Sequence, residues 1–269
     1  MKNKIISVLL IVMLLALPSF PHDLFLKPDN FFTKVNGKIT ISVMNGTFQE
    51  SEGAVNFARL TDVSVLAPSG GRTNPKETDF TKSETTSFLN LAPAESGNYV
   101  VGLSTAWREN QLAAKEFNEY LVLEGMPNVL EDRKRDKELE IDGRSRYSKY
   151  VKTIFQVGNK QTDNYKTPLG YAVEMIPQQN PYKLKKGNTL EILCLKDGKP
   201  LVGQPVSTGY EKNGKHTPGE NLTSDANGII RVKLVGGGKW YAKFINMVKI
   251  SDPKLNYESK WATLTFEIK

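Results

Sequence analysis

The sequence predicts a mainly β protein made of two β-sandwich units, immunoglobulin- or transthyretin-like, with a small helical insert in the first. Three observations predict it. Short β-branched or alternating segments recur along the 269 residues. Turn clusters rich in Gly, Pro, Asn and Asp separate them. One stretch, at about 111–150, switches instead to charged residues with apolar positions at helical spacing.

In the first unit, Ile39-Thr40-Ile41-Ser42-Val43 alternates and is β-branched, so it reads as a strand. Val63–Leu66 is a second, closed by the turn cluster Pro68-Ser69-Gly70-Gly71. Thr85–Leu89 and Tyr99–Leu103 are two more. Phe117, Tyr120, Leu121 and Glu124 then fall at helical spacing, with Gly125 as a stop. A second, highly charged helix is expected from Val129 to about Leu139. The period of Tyr147, Tyr150, Val151 and Ile154 predicts helix again over Arg144–Phe155 before the chain turns into strand.

The cluster Pro177-Gln178-Gln179-Asn180-Pro181 marks a crossing point. The expected organisation is therefore a signal peptide at 1–21, a first sandwich at 22–176 and a second at 177–269. In the second, Leu190–Leu195, Val202–Val206, Ile229–Val232, Trp240–Phe244 and Trp261–Ile268 read as strands, the last alternating strictly. Glu211–Asn221 reads as a polar loop.

Export is read from the first residues. Lys2 and Lys4 precede an apolar or small run, Ile5–Leu17, and Pro18-Ser19 end it. The run is short for a bilayer span, which takes about 20 residues. The expected mature chain is periplasmic or secreted and not embedded in the membrane. The single cysteine, Cys194, excludes an intramolecular disulfide and reads as a buried small hydrophobe. The net charge of +7, less the two signal lysines, leaves +5. Acids and bases interleave, as in Glu131–Glu138, so no one-signed basic footprint for nucleic acid is present.

Catalytic motifs are absent: there is no Gly-x-Ser-x-Gly, His-Glu-x-x-His or phosphate-cradling Gly-rich loop. The chain is therefore read as not an enzyme. Only two histidines exist. His22 follows the signal and precedes Asp23, so its imidazole could join a nearby α-amine on copper or nickel. His216 lies in the polar stretch Asn213–Gly219 and reads as a loop residue that could fold over a site.

Several segments, in order along nearly the whole mature chain, resemble the bacterial DUF4198 family. They include His22-Asp23-Leu24-Phe25-Leu26-Lys27-Pro28, Asn45-Gly46-Thr47-Phe48, Phe117-Asn118-Glu119-Tyr120-Leu121 and Arg146–Lys152. Gln156-Val157-Gly158, Asn180-Pro181-Tyr182, Asp197-Gly198-Lys199-Pro200 and Tyr257–Phe266 complete the set. Proteins of this family are sometimes labelled nickel-uptake (NikM-like) or periplasmic cobalt-transport components. The resemblance implies a periplasmic protein, a C-terminal transthyretin-like sandwich and a histidine directly after the signal. It also implies further histidines where this chain has Tyr150, Tyr210 and Asn246. The metal set expected on this basis is His22, Asp23, His216 and Glu258, for a divalent transition metal (nickel, cobalt or copper) destined for a membrane metal transporter. The competing expectation is a non-catalytic cell-envelope module binding glycan or protein. It would show exposed, coplanar tryptophans among Trp107, Trp240 and Trp261.

Overall fold

Alternating sequences build sheets because successive side chains point to opposite faces, so one face can be buried while the other meets water. The computed structural model describes residues 22–269, and the signal segment read at 1–21 lies outside them. The first half runs β1 (Asp23–Pro28), β2 (Phe32–Thr33), β3 (Ile39–Gly46), β4 (Leu60–Leu66), β5 (Arg72–Thr73), β6 (Phe80–Lys82), β7 (Ser87–Leu91), β8 (Gly97–Thr105) and β9 (Arg108–Leu112). Helices α1 (Ala114–Leu123) and α2 (Pro127–Arg135) follow, then the long β10 (Gly143–Val157). The second half runs β11 (Val173–Pro177), β12 (Thr189–Lys196), β13 (Lys199–Pro200), β14 (Pro205–Lys212), β15 (Lys215–Thr223), β16 (Ile229–Lys233), β17 (Gly238–Lys249) and β18 (Tyr257–Ile268).

The mainly β, sandwich-type architecture is as expected. One four-stranded sheet has the order β1-β3-β7-β6, and another joins β11, β12 and β13 with β16 on β12. Between them runs a ten-stranded sheet, β15-β14-β17-β18-β10-β8-β4-β5, with β2 and β9 also on β10. The seam of this sheet is the parallel pair β10–β18, from Ser145 against Tyr257 to Thr153 against Thr265. The last strand of the second half thus lies beside the last strand of the first. Already at β11, before the Pro177 crossing point, the chain pairs with β12.

Strand β10 contributes to both cores. Val151, Phe155 and Val157 face the first, with Leu26, Ile41, Val65 and Val101. Ile154 faces the second, with Val173, Ile192, Trp240 and Phe266. A third cluster packs α1 and α2 on the outer face of β17 and β18, through Phe117, Leu121, Ile245 and Trp261.

Two expectations need correction. The helix expected over Arg144–Phe155 is strand β10, buried continuously from Val151 to Val157. A strand buried on both faces loses its alternation, and its apolar run then matches a helical period equally well. The β-branched Val151, Thr153, Ile154 and Val157 favour the strand. The polar loop expected at Glu211–Asn221 is a hairpin, with Lys212 paired to Lys215 around Asn213-Gly214. Both turn residues have positive φ, 51° and 74°, as a two-residue type I′ hairpin requires. Among the described residues, no helix is long and apolar enough to cross a membrane.

Candidate functional site

His22 immediately precedes strand β1, which Asp23 opens and which lies across the ten-stranded sheet. Thr263 and Thr265 of β18 donate hydroxyl hydrogen bonds to the carbonyls of Leu24 and Leu26, at 2.8 and 2.5 Å. The alternate residues of β1 reach toward β14 and β17. Asp23 Oδ2 is 2.5 Å from Lys243 Nζ, the Phe25 ring meets Tyr241 edge-on at 5.2 Å, and Lys27 pairs with Glu211 at 2.8 Å. A period of two thus aims Asp23, Phe25 and Lys27 the same way.

A buried charged group surrounds this strand end. His22 Nε2 lies 2.6 Å from Glu52 Oε2, and the His22 carbonyl accepts from Lys149 Nζ. Lys149, on β10, is 3% exposed and has Tyr147 and Trp261 rings 5.5 and 5.1 Å from its ammonium. Burial pulls its pKa down to about 7, with Arg59 and Arg108 adding repulsion against the attraction of Asp23 and Glu124. Lys243 also reaches Glu124 at 3.3 Å. Burial works against the charge of Lys243, but Asp23 and Glu124 outweigh it and hold its pKa above the ordinary lysine value. Burial raises Glu124, against the pull of Lys243. Asp23 Oδ1 is buried and makes no hydrogen bond.

The four residues expected to hold a metal are not gathered into one set. His22 and Asp23 are neighbours at the start of β1, with Glu52 on the imidazole. His216 lies on strand β15 rather than in a loop. Its ring stacks on Tyr241 with centroids 5.9 Å apart, and its Nε2 is 3.1 Å from the Tyr241 hydroxyl. Glu258, on β18, is held by Arg146 at 2.6 Å and Lys260 at 2.8 Å. Burial opposes its ionisation, but these two cations keep its pKa below the ordinary carboxylate value. Among the described residues, no group of three or more His, Cys, Asp or Glu could hold a metal ion.

The positions where the resemblance implies histidine are likewise dispersed. Tyr150 packs on Tyr171 at 5.7 Å, Tyr210 stacks on Trp240 at 4.6 Å, and Asn246 donates to Gln204 at 3.0 Å. The tryptophans form no coplanar platform: Trp240 and Trp261 are 1% and 2% exposed, and Trp107 is 41% exposed.

Lys149, Lys243, Glu124 and Arg59 were not among the expected site residues. A helical reading of β10 sets Lys149 on a solvent face, and only the strand buries it. The one available signal was a lysine inside an otherwise packed run, which needs a partner.

Fold and site together define a two-sandwich β protein with a buried charged cluster under its first strand. The chain belongs to the DUF4198 family, described as a domain of unknown function, whose profile matches residues 19–247. No curated protein matches the chain. Among solved structures it is similar to the D0-D1 domain of intimin, at 15% identity over 91% of this chain and 97% of that one, TM-score 0.22. Murine CEACAM1b matches at 11% identity over 92% and 99%, TM-score 0.21. A segment of two fibronectin type-III domains from chicken tenascin matches at 14% over 93% and 98%, TM-score 0.22. Overlays at these TM-scores say nothing about what this chain binds.

Proposed function

We propose that the protein is an exported, periplasmic binding protein without catalytic activity, whose cargo is a transition-metal ion (nickel or cobalt) taken at the start of β1 for delivery to a membrane transporter. The observation that supports this is the pair His22–Glu52, with the imidazole nitrogen 2.6 Å from a carboxylate oxygen and Asp23 next along the strand. Imidazole nitrogen and carboxylate oxygen are donor types that such ions accept. His216 and Glu258 are held elsewhere by Tyr241 and by two cations, so as folded they do not join this pair. Two side chains fall short of the about three or four donors a first-row ion takes. The reading therefore needs the α-amine that processing next to His22 would release.

The test is calorimetric titration of the processed protein with nickel, cobalt, copper and zinc, alongside His22→Ala. The expected result is binding tighter than about 1 μM for at least one ion, lost in the variant. Failure of all four to bind, or binding untouched by His22→Ala, overturns the reading.

A further inference from the structure

Trp107 takes no part in the site described above. It lies in the break between β8 and β9 and is 41% exposed. A tryptophan left this open forgoes the burial of a large apolar side chain. Trp240 and Trp261 donate their indole N–H groups to Gly236 and Ser259, whereas among the described residues Trp107 Nε1 has no acceptor.

Its neighbours place the ring on one face of the ten-stranded sheet. The Arg146 guanidinium is 5.2 Å and the Lys260 ammonium 5.8 Å from its centroid. Arg146 of β10 stands opposite Glu258 of β18 and opposite Glu109 of β9. Residues paired in register share a face, and so do alternate residues of one strand. Trp107, Glu109, Arg146, Glu258 and Lys260 therefore lie on one side, and Arg108, Tyr147 and Lys149 on the other. Further along β18, Ala262 and Leu264 continue the face of Lys260 and are buried in the second core. At Arg146 that cover has ended, and its side chain is 39% exposed.

The charges on this open part of the face cancel. Arg146 Nε and Nη2 donate to Glu258 Oε2 at 2.8 and 2.6 Å, and Lys260 Nζ donates to Glu258 Oε1 at 2.8 Å. Glu109, exposed beside them, is a second carboxylate for the two cations. An anionic ligand meets these carboxylates and a cationic one meets Arg146 and Lys260, so neither is favoured. Hydrogen-bonding capacity is what remains. Among the described residues Arg146 Nη1 has no partner, the Lys260 ammonium has protons to spare, and the Glu258 oxygens have further lone pairs. Donors and acceptors side by side, next to an exposed flat ring, fit an uncharged ligand with one apolar face and hydroxyl groups that both donate and accept. A pyranose ring has these properties.

We infer that Trp107, Arg146, Glu258 and Lys260 form a binding surface for an uncharged oligosaccharide, with one pyranose ring on the exposed side of the indole and its hydroxyl groups bonded to the charged side chains. This surface needs no metal and is independent of the reading at His22.

The experiment titrates the processed protein with cellohexaose and, separately, with chitohexaose, with inorganic phosphate as the anionic comparison. Calorimetry and tryptophan fluorescence are the readouts. At least one oligosaccharide should bind saturably with a Kd below about 1 mM, and phosphate should not. Because Trp240 and Trp261 are buried, the fluorescence change should come from Trp107 and vanish in Trp107→Phe. Trp107→Ala and Arg146→Met should each weaken calorimetric binding about tenfold or more. Arg108→Gln, on the opposite face, and His22→Ala should leave it unchanged. Trp107 is exposed, so Trp107→Ala keeps the test valid even if Arg146→Met, which removes a partner of Glu258, fails to fold. Saturable binding of neither oligosaccharide, binding undiminished in Trp107→Ala, or phosphate binding that Arg146→Met abolishes overturns the proposal.

Discussion

Lys152 and Glu174 face each other at 2.7 Å with side chains 1% and 2% exposed, in the core where β10 meets β11. Glu174 also accepts from the backbone N–H groups of Leu169 and Gly170, at 2.6 and 3.3 Å. Burial lowers the lysine pKa, against the attraction of Glu174. Removing one partner leaves a buried charge uncompensated, so Lys152→Met should cost about 3–5 kcal/mol in urea unfolding. Glu174→Leu combined with Lys152→Met should recover part of that loss. Cys194 is the simpler case: burial pushes its thiol up to about 12 from 9.0. Above about pH 9 the unfolded chain ionises this thiol while the native chain keeps the proton. Stability should therefore fall as pH rises from about 9 to 12, and Cys194→Ala should remove that part of the slope. A thiol reagent should label native protein only as fast as it unfolds. Cys194 was legible from its apolar neighbours, and the structure buries it. The partner of Lys152 was not legible, because it lies 22 residues away on another sheet.

At the scale of elements, the helical hairpin is fixed to the sheet by a few long contacts. Arg133 of α2 is 1% exposed and donates to Asn118, to the carbonyls of Glu138 and Ile141, and to Tyr257 of β18. Its guanidinium also lies 4.9 Å from the Phe117 ring centroid. Below that ring, Gly143 opens β10, and an added Cβ would stand 2.1 Å from Phe117 Cγ. Gly143→Ala should thus push Phe117 off its seat and cost about 1–3 kcal/mol. The check is thermal unfolding followed by circular dichroism, with hydrogen exchange over α1 and α2 rising first. Two helices, at about 111–125 and 129–139, were readable from spacing, charge and Gly125, and the structure places them at Ala114–Leu123 and Pro127–Arg135. The strand after them was not, since local periodicity carries no information about burial on both faces.

For the whole molecule, the parallel seam β10–β18 makes one sheet of two halves. Parallel strands need a distant connection, and here that connection is the whole second half of the chain. The two halves should therefore unfold together. Far-ultraviolet circular dichroism and the fluorescence of buried Trp240 and Trp261 should give coincident urea transitions. The fragment 177–269 lacks both β10 and β11, so it should remain unfolded or aggregate when expressed alone. Two separated transitions, or a stable fragment, would contradict this.

By itself the sequence determined the β character, turn clusters such as Pro68–Gly71 and the presence of two helices, since these follow from local period and residue type. It also supplied the resemblance that the family match over 19–247 bears out. Only the tertiary structure decided where the charged residues meet. It set His22 on Glu52, dispersed His216 and Glu258, and buried Lys149. The physical reason is range: alternation acts over two residues, whereas a charged site is assembled by strand pairings that span most of the chain.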